Sequence, residues 1–403
     1  LRPTRETRIT ENMQTFSQSP TEPAFVQNPY PFYDRMRLTG DFAFWNDYDM
    51  PCAVSHAAVS AVLRDKRMGR APLDAPVPDP ARAAFDAIES HSMLELEAPD
   101  HTRLRRLVLR AFTSRQIAAL EDGIRALCHD LIDRFPTGDF DLLTAYAQPV
   151  PVITIARLLG VPEQAADNLL RWSNAMVAMY QARLTPQIIA NADHATRAFT
   201  AFLQHQIAEK RNRPGTDLLS TLIAARDGDA RLSEPELIST VILLLNAGHE
   251  ATVHTLGNGV RAMLDTGLRR SDPAAVEEIM RYDPPLHMFT RWVYEPCTVL
   301  GQDFARGDRI ACLLGAANRD PGIWSDPNTF IPDRDGPAHV AFGGGIHFCV
   351  GAPLARLELC IALEVLWERC PQLVPASAPS YADVYHFHGL DRLMVRDASG
   401  GSI

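Results

Sequence analysis

No apolar run in this 403-residue chain approaches the roughly 20 residues needed to cross a bilayer; the longest, Val241 to Leu245, is a fragment of an amphipathic pattern. A membrane-spanning protein is therefore not expected. Positive charge is in deficit. The 39 Lys and Arg against 49 Asp and Glu leave a net charge of −10, which argues against a nucleic-acid-binding protein. Cysteine is scarce and unpatterned: Cys52, Cys128, Cys297, Cys312, Cys349, Cys360 and Cys370 are odd in number and include no Cys-x-x-Cys. That excludes a disulfide framework or a zinc ribbon as the organising principle and points to a reducing, cytoplasmic setting. The N-terminus lacks the charged-then-apolar pattern of a signal peptide and stays polar through Pro20. It also lacks an initiating Met, so residues before Met13 read as processed or added sequence, and a mobile segment is expected over residues 1–28. There is no internal repeat and no long low-complexity linker; the proline-rich stretch Pro72 to Pro80 is short and reads as a loop. One domain over residues 29–403 is the expectation, although length alone would allow two or three.

What is present is concentrated in ten residues, Phe342-Gly-Gly-Gly-Ile-His-Phe-Cys-Val-Gly351. A glycine-rich turn ends on Cys349, and Ala352-Pro-Leu-Ala-Arg-Leu-Glu-Leu then opens a helix, with Pro353 in the first turn where a missing N–H costs nothing. A cysteine just before a helix N-terminus meets the positive end of the dipole and unpaired N–H groups, and both favour thiolate. The glycines predict bare backbone open to a large flat ligand. A stabilised thiolate there suits the axial ligand of a haem iron.

The pattern Phe-Gly-x-Gly-x-His-x-Cys-x-Gly resembles that of cytochrome P-450, the haem-thiolate monooxygenases, and all six fixed positions match: Phe342, Gly343, Gly345, His347, Cys349 and Gly351. The likeness runs from about Pro29 to the end. It implies a mainly α fold with a small β-rich portion, haem b as cofactor, Cys349 as the iron ligand, and the other loop positions as cofactor-binding residues. It further implies a small-molecule substrate, largely apolar, O2 as co-substrate, and electrons from a ferredoxin-type partner with its reductase. The chain ends soon after Val395, so no fused reductase is expected.

Local patterns agree with that fold class. Helical spacing predicts helices over 103–112, 117–135, 142–159, 165–180, 187–210 and 234–265, and strand signals fall at Phe42–Trp45, Cys52–Val54, Thr298–Leu300, Arg309–Leu313 and Leu393–Val395. The longest helix opens on a capping box, Ser233-x-x-Glu236, and ends near Gly267. Its apolar run is interrupted by Asn246-Ala-Gly-His-Glu-Ala-Thr252, and polar groups in a buried helix are costly unless paired or used. The segment resembles the family's distal helix with its Ala-Gly-x-(Asp/Glu)-Thr signature. The resemblance makes Glu250 and Thr252 the catalytic candidates and places Ala247 and Ala251 beside the cofactor. Ala251 stands where the family usually has Thr, so Thr252 comes one position late; a local π-type widening of the helix, ordered water or the substrate itself are the open ways to replace that hydroxyl.

Other assignments follow from the resemblance. Glu278-x-x-Arg281, a pair at i,i+3, and Arg334 are expected to form a buried structural clamp. His101, Arg105, Arg291 and His347 are expected to hold the haem propionates. By family position the substrate pocket takes Leu243, Leu286, Met288 and Phe289, with Met93, Met176 and Met179 as further candidates. Helix geometry puts Arg103, Arg106 and Arg110 on the face opposite His101 and Arg105; that stripe is either a docking face for an acidic redox protein or a plain solvated face. His249 and His287 are not nominated as metal ligands. Alternatives from other classes are a peroxide-driven or O2-independent haem-thiolate enzyme, a haem-binding sensor, and a cysteine hydrolase built on Cys349 and His347.

Overall fold

The chain folds around one helix that runs through its middle. In the computed structural model, which describes residues 13–398 apart from 76, 182, 229 and 386, this central helix is Glu234–Thr266. Its start and stop are those the sequence encodes. Ser233 accepts from the Glu236 N–H while the Glu236 side chain accepts from the Ser233 N–H, and Gly267 closes the helix at φ +75°. At 1.5 Å per residue its 33 residues span about 50 Å, so most of its length must be buried. It packs on the helices Pro149–Leu159, Ala166–Val177, Pro273–Tyr282 and Ala352–Arg369. Val241, Leu245, Val260 and Met263 are fully enclosed in the largest apolar cluster.

The β portion stands to one side. A six-stranded sheet runs in the order Thr15–Phe16, Phe42–Trp45, Met50–Ala53, Arg309–Leu313, Met288–Val293, Met68–Gly69. Phe42–Trp45 and Met50–Ala53 form the expected hairpin. Arg309–Leu313 does not pair with the Cys297–Val299 strand before it. It runs parallel to Met50–Ala53 and antiparallel to Met288–Val293, while Cys297–Val299 pairs with Gln302–Phe304. Two apolar clusters sit against this sheet.

Helix boundaries differ from expectation where local chemistry intervenes. The 117–135 segment divides into Ser114–Ala118 and Glu121–Ile132, and the 142–159 segment opens with a π turn, Leu143–Ala147, before Pro149–Leu159. The Pro273–Tyr282 helix is capped by Asp272, whose carboxylate accepts from the N–H groups of Ala274 and Ala275. The expectation of a mobile segment over 1–28 is corrected from Met13 onward: Thr15–Phe16 joins the sheet, and Met13 and Phe25 are buried. Burial of two large apolar side chains explains the order, and residues 1–12 lie outside the described residues. Among the described residues no helix is long and apolar enough to cross a membrane.

The clamp forms as a buried network. Arg281 grips Glu278 with two nitrogens, at 2.6 and 2.8 Å, and spends its remaining N–H groups on the carbonyls of Asn318, Pro327 and Thr329. Glu278 also accepts from the Ile331 N–H at 2.7 Å. Arg334 lies 3.5 Å from Glu278, too far for a good hydrogen bond, and instead donates to the carbonyls of Ser325, Asp326 and Thr329. Arg281→Ala is expected to strand a buried carboxylate and to cost about 3–5 kcal/mol in urea unfolding. Arg281→Lys should recover little of that loss, because an ammonium cannot make the flat two-point grip and three carbonyl contacts together. An unfolding midpoint equal to that of the parent in both variants would show that the pair carries no such constraint.

Candidate active site

One large cavity lies between the central helix and the cysteine loop, enclosing about 1780 Å³ including its open mouth. Cys349 lines it, with Phe342, His347 and Gly351. The loop is held by Cys349 N–H donating to the Phe342 carbonyl at 3.0 Å and Gly343 N–H to the Val340 carbonyl at 2.9 Å. Gly343 and Gly345 have φ of +71° and +68°, which side chains rarely adopt.

Neither glycine is in the cavity wall. A Cβ on Gly345 would collide with the Leu63 carbonyl, and one on Gly343 would press on the Phe289 ring at 3.3 Å. They let the loop pass between the helix His56–Arg64 and the sheet, and so set the direction of the cysteine. Burial pushes the Cys349 thiol up; the N–H groups of Gly351 and Ala352 and the guanidiniums of Arg105 and Arg356 pull the other way. The helix N-terminus therefore acts as read from the sequence, but against a desolvation cost the sequence does not display.

The edge of the cavity fits a doubly anionic group. His101 is 1% exposed, yet neither ring nitrogen has a hydrogen-bond partner. Burial, His347 and Arg105 together push its pKa down to about 4. Arg291 is buried and donates only to its neighbour's carbonyl, at 2.9 Å, with no carboxylate beside it among the described residues; it stands next to the cavity rather than in its wall. Arg105 lines the wall and donates to the Phe348 carbonyl at 2.6 Å. Orphaned buried donors of this kind call for an acceptor, and a pair of propionates would supply it. His347 is less free than expected: its Nε2 lies 3.0 Å from Glu97 Oε1, which also accepts from the Arg70 N–H at 2.6 Å. Burial would raise Glu97, but those hydrogen bonds outweigh it and hold the carboxylate below its usual range.

Along the opposite wall run Leu243, Ala247, Ala251 and Thr252. The helix is continuous here and shows no π widening. Thr252 lines the cavity, but its hydroxyl donates to the Gly248 carbonyl at 2.9 Å. Glu250 is not in the cavity wall. Its carboxylate points aside, 3.3 Å from His249 Nε2 and 3.1 Å from His254 Nε2. Of the expected pocket residues, Met93, Leu243, Leu286 and Phe289 line the cavity. Met176, Met179 and Met288 do not. The first two belong to the main apolar core and Met288 to a cluster under the sheet, where an unbranched side chain fills space.

Several lining residues carry no sequence signal. Arg70, Glu89 and Tyr180 form a polar end: Tyr180 donates to Glu89 at 3.0 Å, and Arg70 pairs with Glu95. Burial, reinforced by Glu95, lifts Glu89 to about 7. Glu358, from the helix after Cys349, also faces the cavity; it is 2% exposed and has no ion-pair partner among the described residues. These groups are far apart in sequence, and only the burial of isolated charges among apolar neighbours could have marked them.

Two further clusters are placed elsewhere. In the stripe of Arg103, Arg106 and Arg110, Arg103 pairs with Glu236 and Asp100, while Arg106 and Arg110 stay largely exposed and share Asp227. The buried group Asp283, His287 and His388 has metal-ligand chemistry, but none of the three lines the cavity. Its atoms are bonded to one another and to the hydroxyls of Tyr30, Tyr33 and Tyr381, except His388 Nε2, which is buried without a partner. It is a packed polar network and not the iron site.

Burial alone pushes the Glu358 carboxyl well up. A raised acid binds its proton more tightly in the folded chain, so folding loses stability as pH rises above the ordinary carboxylate range. Glu358→Gln should flatten that slope in thermal unfolding and raise stability at neutral pH. Parallel pH profiles for the two proteins would show that the carboxyl is charged in the fold.

Comparison with known proteins agrees with this architecture. The family model for Cytochrome P450 matches residues 273–379, the stretch from the clamp helix through the cysteine loop. The cytochrome P450 monooxygenase PikC of Streptomyces venezuelae is 37% identical over 371 residues, 88% of this chain and 87% of that one. Cytochrome P450 107B1 of Saccharopolyspora erythraea is 41% identical over 329 residues, 78% and 79% of the two chains. Among solved structures, PksS of Bacillus subtilis superposes with a TM-score of 0.85 at 33% identity, covering 95% of this chain and 100% of that one. P450BioI in complex with a hexadecenoyl-ligated acyl carrier protein gives 0.87 at 30% identity, covering 93% and 100%. Identity of 37% and 41% over most of both chains leaves one conclusion: the chain belongs to the cytochrome P450 family.

Proposed function

We propose that the protein is a haem-thiolate monooxygenase that inserts one oxygen atom from O2 into a largely apolar organic substrate bearing a polar group. The observation that carries this reading is the cavity itself, with a cysteine sulfur in one wall, a polar interruption of the central helix in the other, and unpaired donors at its edge. Haem b, once bound, supplies the activation of O2 and the atom transfer.

The chain's own residues do the rest. Cys349 holds the iron, its thiolate supported by the N–H groups of Gly351 and Ala352. His101, Arg105 and Arg291 take the propionates, with His347 held in place by Glu97. Ala247 and Ala251 keep the distal wall low, so a flat cofactor and a substrate can stack against the helix. Leu243, Leu286, Phe289 and Met93 exclude water and orient the apolar part of the substrate. The polar end at Arg70, Glu89 and Tyr180 fixes its other end. Glu250 and Thr252 deliver protons to the cavity. With the Thr252 hydroxyl already donating to Gly248, Glu250 is the principal donor, and water or a substrate hydroxyl fills the space beside Ala251.

Electrons come from a ferredoxin-type carrier and its reductase in the cytoplasm. The outer side of the cysteine loop is one surface for it, since it exposes Ile346 (46%) close in sequence to the sulfur.

Five measurements test this reading. Cys349→Ala should lose the red-shifted Soret band of the reduced carbon monoxide complex; retention of the band would assign the iron to another ligand. PksS is named for polyketide biosynthesis and P450BioI was solved with an acyl-carrier-bound fatty chain. A Soret-shift screen of macrolides, fatty acids and steroids should accordingly find ligands among apolar compounds with one polar group. Product formation should need O2 and the electron donors together; turnover on hydrogen peroxide with no gain from donors would replace the reading with a peroxide-driven enzyme. Glu250→Ala should slow turnover by about 10²-fold or more. Thr252→Ala should change the peroxide released per reducing equivalent only slightly, and a large rise would restore Thr252 as the principal donor.

A further inference from the structure

The acids and bases at the polar end of the cavity do not cancel. Arg70 pairs with Glu95, and its backbone N–H donates to Glu97 at 2.6 Å. Arg82 pairs with Asp86, one helical turn on, at 2.6 Å. Glu89 is left over. It is half-buried, it stands in the cavity wall with Arg70 and Tyr180, and it has no ion-pair partner among the described residues. Its Oε2 accepts from the Tyr180 hydroxyl at 3.0 Å, and its Oε1 meets no donor among the described residues. Two elements fix the carboxylate in place. Glu89 ends the helix Ala83–Glu89, and the carbonyl of its neighbour Ile88 accepts from the Ser239 hydroxyl of the central helix at 2.9 Å. Tyr180 holds it from the other side. The charged and titratable groups that face Glu89 are Glu95, Tyr180, Arg70 and Arg82. The long helix Pro186–Asn212 packs on the same short helix, but its Asp193 meets the far end, where it accepts from the Ala84 N–H at 2.6 Å and pairs with Arg197. With Arg70 balanced by Glu95 and Arg82 by Asp86, an ionised Glu89 leaves one negative charge in excess. Burial, reinforced by Glu95, lifts its carboxyl to about 7, as expected of an enclosed acid that lacks a cation.

We infer that Glu89 determines specificity by selecting substrates that carry a cationic amine, whose ammonium group sits against Oε1 while the apolar body lies along Met93, Leu94 and Leu243. All four residues line the same cavity. An enclosed carboxylate without a partner is costly, and a ligand ammonium supplies the partner that the chain withholds. A carboxylate ligand is the wrong sign: it adds a further negative charge beside Glu89 and Glu95, and Arg70 is already engaged. A neutral hydroxyl bonds to either form of Glu89 and gains little from its charge. The cation also leaves a pH signature. It binds the ionised carboxyl, so its affinity falls as pH drops through about 7, where the free carboxyl takes up its proton. The inference rests on the cavity being the substrate site of the proposed oxygenase, and it names the charge of that substrate's polar group.

The test is a Soret titration of the haem-loaded ferric protein with three probes of one chain length: dodecyltrimethylammonium, dodecanol and dodecanoate, each below its micelle-forming concentration. The quaternary nitrogen has no lone pair to bind iron and no proton to lose, so any pH dependence of its binding belongs to the protein. At about pH 8 the ammonium should bind with a Kd about tenfold or more below that of dodecanol, and dodecanoate should bind weakest. Between about pH 8 and pH 6 that advantage should disappear while the affinity for dodecanol stays flat. Glu89→Gln should erase both the preference and its pH dependence, with the red-shifted band of the reduced carbon monoxide complex as the check on haem loading. Tyr180→Phe removes a hydrogen bond that favours the charged carboxylate, so it should move the midpoint of the pH dependence upward. It serves as the second variant if Glu89→Gln loads haem poorly. Equal affinities for the three probes, tightest binding of dodecanoate, or a preference that survives in Glu89→Gln would overturn the inference. The oxygenase reading fails separately. If the ammonium is selected as expected but O2 and electron donors form no product from any bound probe, that reading falls and the charge selection stands. If dodecanol is oxidised and the cation is not preferred, the inference alone falls.

Discussion

Two opposite charges buried a few ångströms apart, Glu278 and Arg281, constrain everything on the cysteine side of this molecule. Neither could remain inside without the other, and their pairing leaves spare N–H groups and lone pairs that must also be satisfied. The chain answers by wrapping an irregular stretch around them. Arg281 holds the carbonyls of Asn318, Pro327 and Thr329, and Glu278 holds the Ile331 N–H. Asn318 then carries the constraint onward: its side-chain oxygen accepts from the Val340 N–H at 2.8 Å, two residues before Phe342 opens the cysteine loop. The neighbouring pair Glu277 and Arg356 continues the same logic, with the Arg356 guanidinium 4.5 Å over the Phe342 ring. The sulfur stands where it does because desolvated charge leaves the intervening backbone few other arrangements.

What was legible in the sequence was what is local. The cysteine loop, the Glu-x-x-Arg pair and both ends of the central helix are encoded within a few residues of one another, and the structure places them together. Long-range choices were not legible. Arg309–Leu313 has the composition of a hairpin partner for the strand before it, yet pairs across the sheet with Met50–Ala53 and Met288–Val293, because both of its faces are buried there. Met176, Met179 and Met288 have the same chemistry as Met93, and only packing decides that one lines the cavity while three fill cores. The arginines of the 100–111 helix read as a docking stripe because their acidic partners, Glu236 and Asp227, lie more than a hundred residues away. The glycines at 343 and 345 pointed to open backbone, and the space they leave is used by Leu63 and Phe289 instead.

The central helix shows how a polar interruption can be absorbed without breaking a helix. Thr252 and Thr255 both donate to carbonyls four residues back, at 2.9 and 2.7 Å, which satisfies each hydroxyl inside the helix. Asn246 accepts from Ser173 across to the neighbouring helix at 2.6 Å. The groups that interrupt the apolar pattern are therefore all committed, and the cavity side keeps mostly the small side chains of Ala247, Gly248 and Ala251. Commitment of this kind explains why the ionisable chemistry lies behind the wall, in Glu250 and its histidines, rather than on it.

One carboxylate oxygen, Glu97 Oε1, accepts at once from the Arg70 backbone at the polar end of the cavity and from His347 at its anion-binding edge. The two ends are thereby tied through a shared acceptor whose capacity is limited. If a molecule seated against Arg70 alters that bond, thermodynamic reciprocity requires an equal and matching change in how firmly the other edge is occupied. Substrate and cofactor would then report on each other's presence across the whole width of the cavity, through a residue that touches neither.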